Sequence, residues 1–307
     1  MDEILQAFRD GIPGMAEVRS AIDKENASGH GLVTSFTVRW QPETSVRLRH
    51  GALPAFSGAG TVSGASMSVI TTGFEFPFLL RLPPGHRPGR PCPALLFLHG
   101  IGERGADPAV LTDQGPFRFV SAGNELPFIL IAPQLEKGRH WTEDTSGRPS
   151  DTQMLRLAGF LRQVSEAYDI DPCRLYLTGL SMGGRGALRL ACFLPRAFAA
   201  AAVCCGRASE RTDPDRMLYP IDGMKDLPLW LFHGTEDDIV LPEHSLSVLR
   251  QLTALEPRTD RRLTMYPGVK HGCFHHAYLE RELYDWFVCH DIKTPVRCPA
   301  GMSPGRR

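Results

Sequence analysis

The sequence of 307 residues has no excess charge of either sign, because 34 lysines and arginines balance 34 aspartates and glutamates. It also has no basic stripe with interleaved aromatic residues. A chain without a net positive field has no general attraction for a phosphate backbone. We therefore expect no nucleic acid among its partners.

Long hydrophobic runs are absent too. No stretch reaches the roughly 18 to 20 continuous apolar residues that a transmembrane helix needs. The segment from Met1 to Asp10 is acidic and amphipathic, whereas a secretory signal is basic and then apolar. We expect a cytoplasmic protein with no membrane span, and the sequence leaves open whether it forms a homo-oligomer.

The spacings of metal sites are missing as well. None of the eight cysteines belongs to a C-x-x-C pair or to a Cys/His zinc pattern. Cys192, Cys204 and Cys205 lie in segments rich in Ala, Leu and Val, where a thiol behaves as a small buried hydrophobe. We expect reduced thiols, no metal and no cofactor.

From about residue 94, short apolar runs alternate with longer runs of helical period. This pattern is typical of an α/β fold with a mostly parallel central sheet and helices on both faces. The predicted strands are 94–98, 128–132, 175–178, 198–204, 229–232 and 263–266, and the predicted helices are 151–168, 182–193, 243–255 and 276–288.

The two ends of the chain have a different composition. Residues 1–66 combine a helix-like segment at Asp2–Arg9 with alternating segments and a Gly/Ala/Ser-rich stretch, which predicts an extension that is β-rich or partly disordered. Residues 67–82 predict an antiparallel hairpin that opens the α/β domain of residues 67–292. The tail 293–307, rich in Pro, Gly and basic residues, is predicted to be disordered.

The motif Gly179-Leu180-Ser181-Met182-Gly183 stands between an apolar strand-like run and a helix start rich in small residues. A serine on such a strand-to-helix turn is forced outward at the top of the sheet, and the glycines leave room for the sharp backbone. A plain Gly-Ser turn is the alternative. The flanking strand and helix favour Ser181 as a nucleophile.

A serine hydroxyl is a weak nucleophile near neutral pH and needs a base, which needs an acid to orient it. In this kind of fold the chain order is serine, acid, histidine. The acid is one of Glu236, Asp237 and Asp238, which follow an apolar strand directly. We favour Asp237, with Asp238 next.

His271 is the predicted base, because it follows the last strand on a loop that contains glycine. His275 and His276 lie nearby, and we interpret them as surface or capping residues. Five aromatic residues are candidates for the walls of a substrate pocket, with core packing as their alternative role: Phe117, Phe119, Trp141, Phe274 and Tyr278.

The negative charge that develops on an acyl oxygen needs backbone N–H donors, an oxyanion hole. Met182, which follows the nucleophile, is the first predicted donor. The second is expected in the loop that starts at His99, where we favour Ile101, with Gly100 as the alternative and as a substrate contact. We interpret His99 as a structural hydrogen bonder.

These segments together resemble the α/β-hydrolase superfamily, in particular the group of dienelactone hydrolases, feruloyl and polyhydroxybutyrate esterases and phospholipase/carboxylesterases. The matching segments follow the family's order over about residues 70 to 290: 98–105, 131–134, 179–184, 233–237 and 266–271.

The resemblance implies a hydrolase of carboxylic esters that works through an acyl-enzyme, with a small-molecule ester as its partner. It implies Ser181 as nucleophile, Asp237 as acid and His271 as base. It also supports Gln134 and Trp141 beside the mouth of the site, Trp141 having packing as its alternative.

In one position the sequence departs from the resemblance. Arg185 stands where family members often carry an aromatic residue, so a more polar first helical turn is expected. We expect short acyl groups, because no long apolar lid segment is evident. The alternatives are an acyl thioesterase or acyltransferase, a serine peptidase of the prolyl-oligopeptidase type, and a binding protein without activity.

Overall fold

The computed structural model describes residues 33–40, 45–50, 67–144, 146–255 and 259–292, the first two ranges by their backbone alone. Ten strands in these ranges form one sheet: β1 (Val33–Trp40), β2 (Ser45–His50), β3 (Met67–Ile70), β4 (Phe78–Arg81), β5 (Cys92–Leu98), β6 (Ile129–Pro133), β7 (Ile170–Leu180), β8 (Ala200–Cys204), β9 (Leu229–Gly234) and β10 (Arg261–Tyr266).

The strand order is β2-β1-β10-β9-β8-β7-β5-β6-β4-β3. The six strands from β10 to β6 are parallel to one another, and the pairs at both ends of the sheet are antiparallel. The predicted α/β class with a mostly parallel sheet is confirmed, as is the hairpin of β3 and β4. The helix-like segment Asp2–Arg9 and the tail 293–307 lie outside the described residues.

Six helices lie in the described ranges: α1 (Gly115–Ser121), α2 (Thr152–Ala167), α3 (Met182–Phe193), α4 (Glu243–Ala254), α5 (Phe274–Ala277) and α6 (Arg281–Val288). Side chains alternate along β5, so that Leu96 and Leu98 join the core under α2, α3 and α4. Leu95 and Phe97 join the core under α1, α5 and α6. Helices therefore cover both faces, and none of those described has the length and apolarity to cross a membrane.

One predicted helix, 276–288, is wrong as a single element. The chain forms the short helices α5 and α6, and between them Glu280 has an extended backbone with φ −82° and ψ 114°. The hydroxyl of Tyr266 donates a hydrogen bond of 2.8 Å to the Glu280 carboxylate. This contact with β10 lies at the break between α5 and α6. The spacing of apolar residues in 276–288 does not reveal the break. Helix α1 was not predicted.

Candidate active site

Ser181 occupies the turn between β7 and α3, at the carboxyl end of the parallel strands. Its backbone has φ 52° and ψ −116°, which is rare for a residue with a side chain. Its amide donates a 2.9 Å hydrogen bond to the carbonyl of Cys204, the last residue of β8. The sheet thus holds the serine in a strained turn that leaves its side chain partly exposed.

The turn requires two of its glycines for steric reasons. A Cβ at Gly183 would lie 1.9 Å from the carbonyl oxygen of Leu98, and one at Gly179 would lie 2.4 Å from the carbonyl oxygen of Gly183. Neither distance is compatible with a side chain. The motif is therefore set by the close approach of α3 to the ends of β5 and β7.

Three side chains from separate loops meet at this turn. The Nε2 atom of His271 lies 2.8 Å from Ser181 Oγ, and its Nδ1 atom lies 2.8 Å from Asp237 Oδ2. The side chain of Asp237 is fully buried, whereas that of His271 is 19% exposed. The structure thus brings together the serine, histidine and aspartate that the sequence pointed to.

The acidic alternatives lie elsewhere. Asp238 is exposed, with its carboxylate 3.9 Å from Lys270 Nζ, and Glu236 is exposed as well. The histidine alternatives are also accounted for by other contacts. His275 Nδ1 lies 2.9 Å from an Arg118 nitrogen, and the His276 ring packs against Tyr266.

The pKa values of Asp237 and His271 are shifted in opposite directions. Burial raises the pKa of Asp237, but hydrogen bonds from His233, His271 and the Val240 amide outweigh burial and hold this pKa well below its ordinary range. Burial lowers the pKa of His271, but the hydrogen bonds with Asp237 and Cys205 and the charge of Asp237 raise it above its ordinary value. The arrangement stabilises an imidazolium beside a carboxylate.

His233 is a residue of the site that the sequence reasoning missed. It is fully buried, with Nε2 2.8 Å from the Val240 carbonyl and 3.2 Å from Asp237 Oδ2. Its Nδ1 lies 2.7 Å from the hydroxyl of Ser245 on α4. His233 therefore fixes both the acid and the loop that carries it. The available signal was the His-Gly pair at the end of β9, which repeats the pair His99-Gly100 after β5.

The loop after β5 is held by hydrogen bonds to its backbone and from the ring of His99. His99 is buried, its Nδ1 donates to the Gly100 carbonyl at 2.6 Å, and its Nε2 accepts from the Leu135 amide at 3.0 Å. Burial lowers the pKa of His99 to about 4, so the ring is neutral. The side chain of Arg104 donates to the Ile101 carbonyl at 3.0 Å. His99 is thus a structural hydrogen bonder.

Gln134 and Trp141 support this loop from inside the protein. Trp141 is fully buried and donates from Nε1 to the His99 carbonyl at 3.1 Å, and Gln134 donates from Nε2 to the Glu103 carbonyl at 2.8 Å. Neither side chain reaches the surface, and their contact with substrate stays a prediction. Of the two roles considered for Trp141, the structure shows packing.

The two expected oxyanion donors belong to two segments, the start of α3 and the loop after β5. Met182 is the first residue of α3, where backbone amides have no acceptor within the helix. Ile101 lies on the loop after β5 and is 51% exposed, and Gly100 beside it is buried. Gly183 packs against the end of β5, so this contact joins the two segments that carry the amides.

Most of the candidate wall residues belong to the core. Phe117, Phe119 and Tyr278 are buried with the helices α1, α5 and α6. Phe274 is partly exposed, and its ring centroid lies 6.3 Å from that of His271. Phe274 is therefore the aromatic candidate that flanks the base.

Cys205 is a further neighbour of the base. Its sulfur, a His271 nitrogen and an Asp237 oxygen lie within 4.8 Å of one another, a set that by atom type could hold a metal ion. Burial raises the pKa of the Cys205 thiol well above its ordinary value. Because Asp237 and His271 already bind each other, the arrangement favours a hydrogen-bonded site over a metal site.

Comparison with known proteins finds similarity to esterases. The Esterase family model matches residues 70–264. A bifunctional acetylxylan esterase/xylanase of Neocallimastix patriciarum is 28% identical over 148 residues, which are 48% of this chain and 20% of that protein. The chain therefore corresponds to about a fifth of the length of this curated relative.

Solved structures agree on the fold. The crystal structure of a thermostable esterase is 28% identical, with a TM-score of 0.58, over 74% of this chain and 63% of that one. A ferulic acid esterase superposes with a TM-score of 0.54 at 16% identity, over 74% of this chain and 98% of that one. The second likeness is one of fold alone.

Proposed function

The chain belongs to the esterase family, and on that premise we propose that it is a serine hydrolase that cleaves carboxylic esters. The observation that carries the proposal is the pair of 2.8 Å hydrogen bonds joining Ser181, His271 and Asp237. A buried acid, a partly exposed base and a strained serine in this order are the parts of a nucleophilic triad.

In the first half of the reaction, Ser181 Oγ attacks the acyl carbon while His271 Nε2 takes the hydroxyl proton. The amides of Met182 and Ile101 stabilise the negative charge on the former carbonyl oxygen. The bond between the acyl carbon and the alcohol oxygen then breaks, and His271 returns the proton to that oxygen. The products of this half are a free alcohol and an acyl group on Ser181.

Water completes the cycle by the same route. His271 takes a proton from water, whose oxygen attacks the acyl carbon, and the bond to Ser181 Oγ breaks as the proton passes to that oxygen. Asp237 stays ionised throughout, because its pKa is held low, and it orients the ring through Nδ1. A carboxylic acid leaves and the free enzyme returns.

We further propose that the enzyme prefers short acyl groups such as acetyl. The Neocallimastix patriciarum relative is named for acetylxylan ester cleavage. Phe117, Phe119, Trp141 and Tyr278, which could have formed a wall for a long acyl chain, are buried in the core. Activity on 4-nitrophenyl esters should therefore fall from acetate to palmitate, and a maximum at long chains would contradict this preference.

Replacement of the nucleophile tests the proposal most directly. In Ser181→Ala, hydrolysis of 4-nitrophenyl acetate should fall by about 10⁴-fold or more, leaving the residual rate that the oxyanion donors and binding provide. A fluorophosphonate probe should label the unmodified protein and not the variant.

The matched control is Ser165→Ala, which removes a partly buried serine of α2 and should leave both readouts unchanged. The nucleophile assignment is wrong if Ser181→Ala retains more than about a hundredth of the activity. Faster turnover of an acyl thioester or of a peptide amide than of every oxygen ester would instead move the proposal to those substrates.

A further inference from the structure

A cavity of about 140 Å³ lies beside the nucleophile helix. Its walls are the loop that precedes α2, the outer side of α3 at Arg185 and Arg189, and the residues Leu218 and Tyr219. Arg185 follows Ser181 by one helical turn, and its amide donates to the Ser181 carbonyl at 2.9 Å. Because Cβ atoms tilt toward the N-terminus of a helix, both arginine side chains leave α3 in the direction of the nucleophile.

The charged residues that line the cavity are two arginines and one aspartate. Arg185 forms an ion pair with Glu143, and Arg189 forms one with Asp151. A third guanidinium, that of Arg207, lies close enough to Arg185 that, after burial, its charge helps to lower the pKa of Arg207. Arg207 lies outside the lining of the cavity, the charge of Glu143 raises its pKa in turn, and it donates to the Ser209 carbonyl.

Two buried donors at the cavity have no hydrogen-bond acceptor within the described part of the chain. They are the hydroxyl of Tyr219, a residue only 8% exposed, and Nε of Arg185. Burial raises the pKa of Tyr219, and the nearby arginines lower it only in part, so the phenol keeps its proton. A buried donor without an acceptor is costly. A small anion in the cavity would supply an acceptor and would meet the guanidinium groups of Arg185 and Arg189.

We propose that this cavity is a subsite for an anionic group of the substrate, a carboxylate in particular, carried on the acyl or the alcohol part of the ester. The inference rests on the proposed function, because the anion is placed relative to an ester bound at Ser181. The four residues from Ser181 to Arg185 rise about 6 Å along the helix axis. An anion a few bonds from the reacting carbonyl can span a distance of this size.

Matched pairs of esters that differ in charge test the subsite. The first pair is mono(4-nitrophenyl) glutarate against 4-nitrophenyl butyrate, with the anion on the acyl side. The second is 4-acetoxybenzoate against its methyl ester, with the anion on the alcohol side. In the unmodified protein, kcat/KM for the anionic ester should exceed that for the neutral ester in at least one pair, and the pair that shows it identifies the side.

Removal of the donors should abolish this selectivity. In Tyr219→Phe and in Arg189→Gln, the ratio of kcat/KM for the anionic ester to that for the neutral ester should fall about tenfold, the usual effect of losing one hydrogen bond or charge at a bound anion. The controls are Tyr168→Phe at the C-cap of α2 and Arg162→Gln within α2, which make the same changes away from the cavity and should keep the original ratio.

A binding measurement separates this inference from the proposed function. Ligand-observed NMR should detect glutarate on the unmodified protein and weaker binding to Tyr219→Phe. If glutarate binds in this way while neutral esters are not hydrolysed, the subsite stands and the ester hydrolase proposal fails. If neutral esters are hydrolysed while glutarate binding and the kcat/KM ratios are the same in all variants, the subsite is overturned.

Discussion

A histidine-glycine pair follows β5 directly and another ends β9, and the two pairs hold different parts of the site. His99 closes the loop after β5, which carries the Ile101 amide, and His233 closes the loop after β9, which carries Asp237. Both histidines are fully buried. Gly234 is sterically required, because a Cβ there would lie 2.1 Å from the Val269 carbonyl oxygen, whereas at Gly100 it would lie 2.7 Å from the end of the Leu180 side chain, which would have to shift.

The partners of the two rings differ in charge. His99 bonds to a backbone carbonyl and a backbone amide, both neutral, and its own pKa of about 4 keeps it uncharged. His233 bonds to a hydroxyl, a carbonyl and the carboxylate of Asp237. The β5 side therefore fixes positions, whereas the β9 side also sets the strength of the base. Substitutions in the loop after β5 and in the loop after β9 should therefore differ in their effects on kcat and on the pH dependence of kcat/KM.

The largest effect is expected on the charged side, from Asp237→Asn. An amide cannot stabilise the imidazolium and favours the wrong histidine tautomer, so kcat should fall by about 10⁴-fold with little change in KM. The measurement is steady-state hydrolysis of 4-nitrophenyl acetate, with folding checked by circular dichroism.

The control for this change is one residue away. Asp238→Asn removes an acid that is exposed and lies near Lys270, so it should change kcat less than about twofold. Equal losses of kcat in Asp237→Asn and Asp238→Asn would mean that burial and hydrogen bonding do not determine which acid acts. The proposed difference between the loops after β5 and β9 would then be wrong.

A smaller effect is expected on the neutral side, from Trp141→Phe. This change removes the hydrogen bond to the His99 carbonyl, and the donor loop becomes less well positioned for the oxyanion. Loss of a direct oxyanion donor costs about 10²- to 10³-fold, so loss of its support should lower kcat about tenfold while KM changes little.

Trp230→Phe is the matched control, because it also removes a buried neutral hydrogen bond, that of Nε1 to Thr264 Oγ1 at 2.9 Å. Both variants should lose similar stability toward urea, about 1 kcal/mol for one buried hydrogen bond. Only Trp141→Phe should lose kcat. A loss of kcat in both, or in neither, would remove the supporting role assigned to Trp141.

The order of the serine, acid and histidine along the chain could be predicted from the sequence more readily than the residues that hold them in place. Ser181, Asp237 and His271 follow strands whose apolar residues are consecutive, and the carboxyl ends of parallel strands meet at one edge. The choice between Asp237 and Asp238 needed the structure, because burial of one of two adjacent acids depends on the turn after β9.

The supports were hidden because they depend on tertiary contacts. Trp141 reaches His99 across 42 positions of the chain and His233 reaches Ser245 across 12, and no local periodicity signals either bond. The same holds for the break at Glu280, whose carboxylate pairs with Tyr266 on β10. Local pattern thus predicted elements and their order, whereas hydrogen bonds between distant segments decided which side chains are buried around the site.

The smallest expected effect is on the pH at which kcat/KM reaches half its maximum. This measurement distinguishes the two loops most directly. His271 acts as a base only when neutral, and its neutral fraction increases as pH rises through its pKa. Since Asp237 raises that pKa, the acid limb of kcat/KM for 4-nitrophenyl acetate should have its midpoint above 6.5, the ordinary value for histidine. Trp141→Phe should lower the whole profile and keep this midpoint, because the bond it removes carries no charge. A midpoint at or below 6.5 would mean that the loop after β9 does not raise the pKa of His271. A midpoint that moves in Trp141→Phe would mean that the loop after β5 also affects this pKa.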